Sequence, residues 1–406
     1  MLCDMKSISI FKNELFLLFS AIIFNILLLI YSVSNLSISY NEAIIYFQKT
    51  NFLTIVTNAS TMLFGRNDYA LRLPFLILHF LNIFLIYKVS KPILKRKSDR
   101  LISAILYMFL PGVLASAILI NEAGFVIFIT LLIIYFEQNK MFKSFIFTLL
   151  VSLIISEPFI SLYIAIIFFG IFKRDKKLAI FGLIFCLAWF WLNGIDAYGK
   201  PKGYFIDTIG VFAAVFSPLI FIYFIYTVYR IAIKEEKTFL WFVAITAFGI
   251  CSIISIRQRP SLEMFLPFCV IFMPVMVRTF FSSYRARLPK FRIKYKFITI
   301  IVLTTLFLNS SATIFHNFLY IFLKDPKDHF AYKYDVAKEL AQKLNELGIS
   351  YVKTDQNLAV RLKFYGVLKG KEYILTRSKN DNCDQTVIKI KKLGKQIDKF
   401  YLCKII

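Results

Sequence analysis

Residues 14–43, ELFLLFSAIIFNILLLIYSVSNLSISYNEA, join a long apolar segment to a polar end that carries one acid, Glu42. The apolar part, residues 14–36, is long enough to cross about 30 Å of hydrocarbon as a helix. A second acid, Glu122, has a similar setting, because it also follows an Asn, precedes an Ala and lies at the end of an apolar segment. An ionised side chain is costly at membrane depth, so both acids are candidate functional residues by position alone.

The composition of the whole chain is that of a membrane protein. Of its 406 residues 58% are hydrophobic and 46 are Phe, and its mean hydropathy is +0.68. Charged residues make up 18% of the chain, whereas they make up about 25% of typical soluble domains. The apolar segments are too long and uniform for barrel strands, so helices must satisfy the backbone hydrogen bonds. The predicted fold class is an all-α polytopic membrane protein.

We predict about eleven transmembrane helices, one for each apolar segment. They are residues 14–36, 70–88, 101–119, 123–137, 143–156, 158–172, 178–196, 208–230, 238–255, 263–281 and 297–320. The loops rich in Lys and Arg then all fall on one side, which the positive-inside rule makes cytoplasmic. The N-terminus is therefore expected in the cytoplasm, and the segments with Glu42 and Glu122 are expected to face outward. Most of the net charge of +25 lies in those loops, where it meets anionic headgroups, so nucleic-acid binding is not expected.

The composition becomes polar after residue 320, which predicts a transmembrane domain over 1–320 and a small α/β domain over 321–406. Helical periodicity covers 335–347 and 358–365. Strand patterns cover 349–352, 373–375, 387–390 and 400–402. With eleven helices before it, this domain is expected to be extracytoplasmic, which in a bacterial cell means the periplasm.

The cysteines and histidines offer no metal site. Cys383 and Cys403 are the only cysteines of the C-terminal domain, and an oxidising compartment favours a disulfide between them. The alternative is two free thiols. Three histidines are too few and too scattered for a His-based metal site.

Several segments resemble the polytopic glycosyltransferases of the GT-C class, which include protein mannosyltransferases and the lipid A aminoarabinose transferase. Residues 40–43, YNEA, lie where that superfamily has an outward Asp-Glu-Ala-like motif. Residues 62–74, MLFGRNDYALRLP, are similar to its Phe-Gly and Ala-x-Arg-Leu-Pro elements, which lead into the second transmembrane helix. Residues 121–136 and 257–267 are similar to two later parts. The resemblance is good over residues 37–172 and thin beyond, apart from the last segment.

The resemblance implies that the protein transfers a sugar from a polyprenyl-phosphate-linked donor. The acceptor would be lipid A, another cell envelope glycan or a protein, at the outer face of a bacterial inner membrane. Two positions depart from the superfamily pattern. The first acid of the Asp-Glu pair is Asn41, so its role would pass to Glu42, and Glu157 replaces the lysine of a Thr-Lys-Gly element.

The chemistry of this transfer assigns roles to the remaining candidates. A base must deprotonate an acceptor hydroxyl, and Glu42 and Glu122 are the candidate catalytic residues. Positive charge must stabilise the leaving phosphate, and the candidate substrate-binding residues are Asn41, Arg72, Arg257 and Arg259. A divalent metal, Mg²⁺ or Mn²⁺, held by Glu42 and Glu122 would suit the same oxygen ligands.

Each assignment has a simpler structural alternative. Glu42 could be a solvated loop acid, and Glu122 an acid that the dipole favours at a helix N-terminus. The three arginines could anchor helix ends at the headgroups. The competing function is a non-catalytic lipid or glycan flippase or transporter, which should tend to show internal repeats with broken helices near the midplane. We find no internal repeat, and the acids lie at the outer edge of the apolar segments.

Overall fold

The computed structural model describes residues 14–47, 51–155, 157–194, 203–378 and 385–404. Its helices up to residue 314 are α1 (Glu14–Asn35), α2 (Tyr40–Phe47), α3 (Phe52–Phe64), α4 (Asp68–Ser90), α5 (Lys97–Met108), α6 (Pro111–Ile118), α7 (Ala123–Gln138), α8 (Phe142–Ile155), α9 (Ile160–Lys173), α10 (Lys176–Asn193), α11 (Phe205–Phe216), α12 (Pro218–Lys234), α13 (Phe239–Arg257), α14 (Leu262–Val270), α15 (Met273–Ala286) and α16 (Pro289–Ile314). A 3₁₀ turn, Glu157–Phe159, precedes α9.

The chain is a multi-pass membrane protein. Within the described residues, five helices are long and apolar enough to cross a membrane, and up to eight spans result if each of three bent helix pairs counts as one. Three predicted spans, 123–137, 143–156 and 158–172, correspond to α7, α8 and α9, which are apolar but shorter. The prediction of an all-α membrane domain is confirmed, whereas the number eleven stays a prediction.

Proline accounts for a difference between the predicted and observed spans. The predicted spans 101–119, 208–230 and 263–281 are each two helices, bent by 60°, 106° and 41° respectively. In each pair the second helix has a proline in its first turn. Proline fits in the first turn of a helix, because a backbone N–H there has no partner within the helix and proline lacks that N–H. Proline cannot continue the preceding helix, so the helix ends before it.

Packing divides the chain into two compact units. The first unit consists of 1–26, 77–117 and 121–310. Its core is apolar, and α9 and α10 approach so closely that a Cβ on Gly170 would lie 2.5 Å from the backbone nitrogen of Ala179.

The second unit consists of 27–76, 118–120 and 311–406. It thus includes the C-terminal residues together with two earlier parts of the chain, and the predicted domain boundary at 320 stays a prediction. After residue 314 the described elements are the 3₁₀ turns His316–Ile321, Pro326–Asp328 and Tyr332–Tyr334, then α17 (Ala337–Glu346), β1 (Tyr351–Lys353), α18 (Gln356–Phe364), β2 (Leu368–Thr376), β3 (Gln385–Lys392) and β4 (Lys395–Lys404).

The four strands form one sheet in the order β1-β2-β4-β3. β1 is parallel to β2, and the other two pairs are antiparallel. Leu393 and Gly394 join β3 to β4 with φ of 48° and 80°, the geometry that a two-residue hairpin turn requires. The predicted strands and both predicted helices of this region are confirmed; β2, β3 and β4 are longer than the sequence pattern indicated, whereas β1 is shorter than the predicted 349–352.

The orientation can be tested with a reporter enzyme that is active only outside the cytoplasm. Fused after Ile406 it should be active, because an odd number of spans from a cytoplasmic N-terminus ends outside. A matched fusion after Lys237, in a predicted cytoplasmic loop, should be inactive. Activity after Lys237 with none after Ile406 would invert the orientation.

Candidate functional site

The segment that carries the first candidate acid forms a capping box. The Ser39 hydroxyl accepts a hydrogen bond from the Glu42 backbone N–H (3.3 Å), and Glu42 Oε2 accepts one from the Ser39 N–H (2.9 Å). This reciprocal arrangement satisfies two donors at the start of α2 and fixes the direction of that helix. The Ser-x-x-Glu spacing is visible in the sequence, where it indicates a helix that Ser39 caps, with Glu42 in its first turn.

Glu42 is also bound by two other parts of the second unit. Its Oε1 accepts a hydrogen bond from the backbone N–H of Ile120 (3.1 Å), and Arg72 Nη2 lies 3.4 Å from its Oε2. The side chain is buried, with 2% of its surface exposed. Both carboxylate oxygens are therefore occupied by donors, which excludes the solvated loop acid.

Arg72 is the buried centre of this arrangement, with no surface exposed. Its Nε donates to the Ile118 carbonyl (2.7 Å) and its Nη2 to the Ser37 carbonyl (3.1 Å). Its Nη1 lies 3.5 Å from Asp68 Oδ1, one turn earlier on α4. The guanidinium of Arg72 thus contacts two backbone carbonyls and two carboxylates of the protein. Its role is structural, and it does not anchor a helix end at the headgroups.

Asp68 connects the cluster to the C-terminal residues. The Tyr365 hydroxyl donates to Asp68 Oδ1 (2.7 Å), and Lys338 Nζ lies 3.1 Å from Oδ2. Burial, with the nearby Asp68, raises the pKa of the Tyr365 phenol well above its usual value, so the phenol stays a neutral donor. We call these five residues, Glu42, Asp68, Arg72, Lys338 and Tyr365, the Glu42 cluster. Two carboxylates and two cations balance within it.

A cavity of about 290 Å³ lies beside the start of α2, within the second unit. Its lining includes residues 39–41, Tyr332, Lys333, Asp355, Arg361 and Arg377. The volume is at the lower end of the range for small-molecule sites, about 300–1,000 Å³. We call it the Asn41 cavity, because the residue at the first acidic position of the superfamily motif lines it while Glu42 does not.

Two side chains that line the Asn41 cavity, Tyr332 and Arg377, are positioned by Asp398. Asp398 Oδ2 accepts a hydrogen bond from the Tyr332 hydroxyl (2.6 Å) and lies 3.0 Å from Arg377 Nη2. Burial and the hydrogen bond to Asp398 raise the pKa of Tyr332. These contacts fix the positions of two lining side chains.

The other predicted site residues lie in the first unit. Glu122 is half-buried and occupies the N-cap position of α7. This is the position expected if Glu122 is only an acid that the helix dipole favours. Arg257 ends α13 and Arg259 lies in the following loop, both exposed. Of Glu157 the structure describes only the backbone, in a 3₁₀ turn.

The predicted divalent-metal site does not fit the donors present. Both oxygens of Glu42 already accept hydrogen bonds or pair with Arg72. Across the described residues no group of three or more His, Cys, Asp or Glu side chains could hold a metal ion.

Only one of the two cysteines of the predicted disulfide lies within the described residues. Cys403 is disulfide-bonded, and its predicted partner Cys383 lies outside them. The pairing itself therefore stays a prediction.

The sequence prediction missed the residues that the C-terminal region brings to the site. Lys333, Arg361 and Arg377 line the Asn41 cavity about three hundred residues after the segment that they face. Local patterns carry no information on such distant contacts, and only the amphipathic character of α18 placed Arg361 on a helix.

No protein-family model matches the sequence, and no curated protein matches it. Among solved structures, the chain is similar to ArnT from Cupriavidus metallidurans bound to undecaprenyl phosphate, with a TM-score of 0.59 and 10% identity over 95% of this chain and 97% of that one. The apo structure of the same ArnT matches with a TM-score of 0.49 and 11% identity over 87% of each chain. The first match confirms the predicted GT-C fold, and identity this low carries the fold alone.

Proposed function

We propose that this chain, which has the fold of the GT-C membrane glycosyltransferases, transfers a sugar from a polyprenyl-phosphate-linked donor to an acceptor at the outer face of a cell membrane. The observation that carries the proposal is the match along 95% of the chain to an ArnT whose structure holds undecaprenyl phosphate. The motif resemblance at residues 40–43 and 62–74 supports it independently, because those segments build the Glu42 cluster.

In this proposal the reaction takes place at the Asn41 cavity. The Glu42 cluster holds residues 39–41 in place through the capping box and through Arg72, so the lining is preorganised before substrate binds. Glu42 then acts as a positioning residue. Its alternative role as the catalytic base stays a prediction, and it requires one carboxylate oxygen to lose the donor that it has in this structure.

The leaving polyprenyl phosphate needs positive charge near the membrane surface. The assignment of this role to Arg257, which ends α13, and to Arg259, in the loop after it, stays a prediction; both side chains are exposed and belong to the first unit. Arg72, in contrast, is fully committed to acceptors within the protein. Substituting Lys for Arg257 and Arg259 should restore donor binding only in part, since Lys lacks the planar fork.

The purified full-length protein should consume undecaprenyl-phosphate-linked sugars when envelope lipids and glycans are added as acceptors. The measurement is release of undecaprenyl phosphate, followed by mass spectrometry, over a panel of hexose and pentose donors. Deleting the gene should remove one sugar modification from the surface lipids or glycans. A flippase would instead move the labelled lipid between leaflets of a vesicle without cleaving it, and that result would refute the proposal.

A further inference from the structure

Arg361 is a buried cation whose hydrogen bonds are incomplete. It lies on α18 with 8% of its surface exposed, and its Nε donates to the Ile38 carbonyl (2.9 Å). Among the described residues, no acceptor lies within hydrogen-bond distance of its buried Nη2. Buried polar groups in native proteins nearly always have a partner, and a buried charge without one is costly. An unsatisfied guanidinium therefore calls for an acceptor that is not part of the chain.

The carboxylates near Arg361 have other partners. Glu42 pairs with Arg72, and Asp398 pairs with Arg377. Asp355, which lines the same cavity as Arg361, caps α18 by accepting the Leu358 N–H (3.2 Å). Burial lowers the pKa of the Arg361 guanidinium, and the electrostatic effects of Tyr365 and Glu42 oppose this only in part.

The lining of the Asn41 cavity is positively charged. Lys333, Arg361 and Arg377 contribute three cations, and Asp355 contributes one carboxylate. The rest of its polar lining is neutral and includes Asn41, whose side chain carries no charge to oppose an anion. A concave site with converging cations and one buried, unsatisfied guanidinium matches a negatively charged ligand.

We propose that the Asn41 cavity binds the oxyanion, a phosphate or a carboxylate, of a sugar-sized ligand, with Arg361 as its buried anchor. This inference rests on the proposed function, and it adds that one substrate is acidic where it meets the C-terminal residues. The Arg361 guanidinium presents its donors in a fixed fork that suits both kinds of oxyanion. Lys333 and Arg377 add charge at the exposed side, and Tyr40 and Asn41 offer neutral contacts for sugar hydroxyls.

The test titrates glucose 1-phosphate, glucuronate and glucose into the purified full-length protein by calorimetry. The two acidic sugars should bind about tenfold or more tightly than glucose. Arg361→Gln should weaken their binding by about tenfold to a hundredfold. Lys353→Gln, which removes an exposed cation outside the cavity, should leave it unchanged. Equal affinity for glucose and glucose 1-phosphate, or wild-type affinity in Arg361→Gln, would overturn the inference.

Two further variants keep the test valid if Arg361→Gln folds poorly. Lys333→Gln removes an exposed lining cation and should weaken glucose 1-phosphate binding by a few-fold. Asn41→Asp adds a carboxylate to the lining, so it should raise the melting temperature and weaken glucose 1-phosphate binding together. Unchanged binding in both variants would refute an oxyanion site.

Competition with undecaprenyl phosphate identifies the source of the oxyanion. Displacement of glucose 1-phosphate assigns the bound group to the lipid carrier, and simultaneous binding assigns it to the second substrate. Both outcomes support the site. Donor consumption by the same preparation separates the two proposals: turnover without preference for acidic sugars overturns this inference alone, and preference without turnover overturns the proposed function alone.

Discussion

Replacing Glu42 with Gln should lower sugar transfer by at least about a hundredfold, because small displacements of a preorganised site cost that much. Gln cannot accept hydrogen bonds at both positions, so it would lose either the Ile120 N–H or the Ser39 N–H and Arg72. The measurement is the rate of undecaprenyl phosphate release at saturating donor, with wild-type protein in the same detergent. Wild-type turnover in this variant would remove Glu42 from the account.

The pH dependence of the residual activity separates the two roles of Glu42. If Glu42 positions the lining, Glu42→Gln should keep the shape of the wild-type pH–rate profile at a lower rate. If it is the base, the acid limb of the profile should disappear, and the loss should be about 10²- to 10⁴-fold. We expect the first result, since three donors bind the carboxylate in this structure.

Replacing Arg72 with Met should destabilise the protein by about 3–5 kcal/mol, the usual cost of removing one partner of a buried ion pair. Glu42 would keep two backbone donors and lose its cation, and Asp68 would keep Lys338. Arg72→Lys should recover only part of this stability, because an ammonium cannot reach the two carbonyls and both carboxylates together.

The control for this prediction is Arg66→Gln, an exposed arginine six residues earlier, which should change stability by about 0.5 kcal/mol or less. The free energy of unfolding is measured in mixed detergent for all three variants and the wild type. A loss below about 1 kcal/mol in Arg72→Met would contradict the buried ion pair.

Much of the architecture follows from periodic patterns. Apolar segments predicted where the membrane helices lie, and strand and helix patterns predicted the C-terminal sheet and its two helices. The sequence also contains the prolines at the bends, Pro111, Pro218 and Pro274. The three apolar segments are each long enough for one span, so their length alone did not indicate a bend. Boundaries of units were not predictable in this way, because 27–76 and 118–120 join the C-terminal residues through contacts distant in sequence.

Only the site residues that belong to a local sequence motif could be predicted from the sequence. The motif resemblance pointed to Glu42 and Arg72, but their burial and mutual pairing depend on Ile118, Ile120 and Lys338 from elsewhere in the chain. For the same reason the sequence alone assigns Arg72 to the substrate phosphate, whereas in the structure its donors are used within the protein. The cations of the Asn41 cavity carry no local motif at all.

The central claim is that sugar transfer takes place at the Asn41 cavity of the second unit. An undecaprenyl-phosphate sugar with a photoreactive group on the sugar ring tests it most directly, by cross-linking to the purified protein and mass spectrometry of the peptides. We predict labelling of residues 39–41 or 357–361, which line the cavity. Labelling confined to peptides of the first unit, such as those with Glu122 or Arg257, would contradict the account.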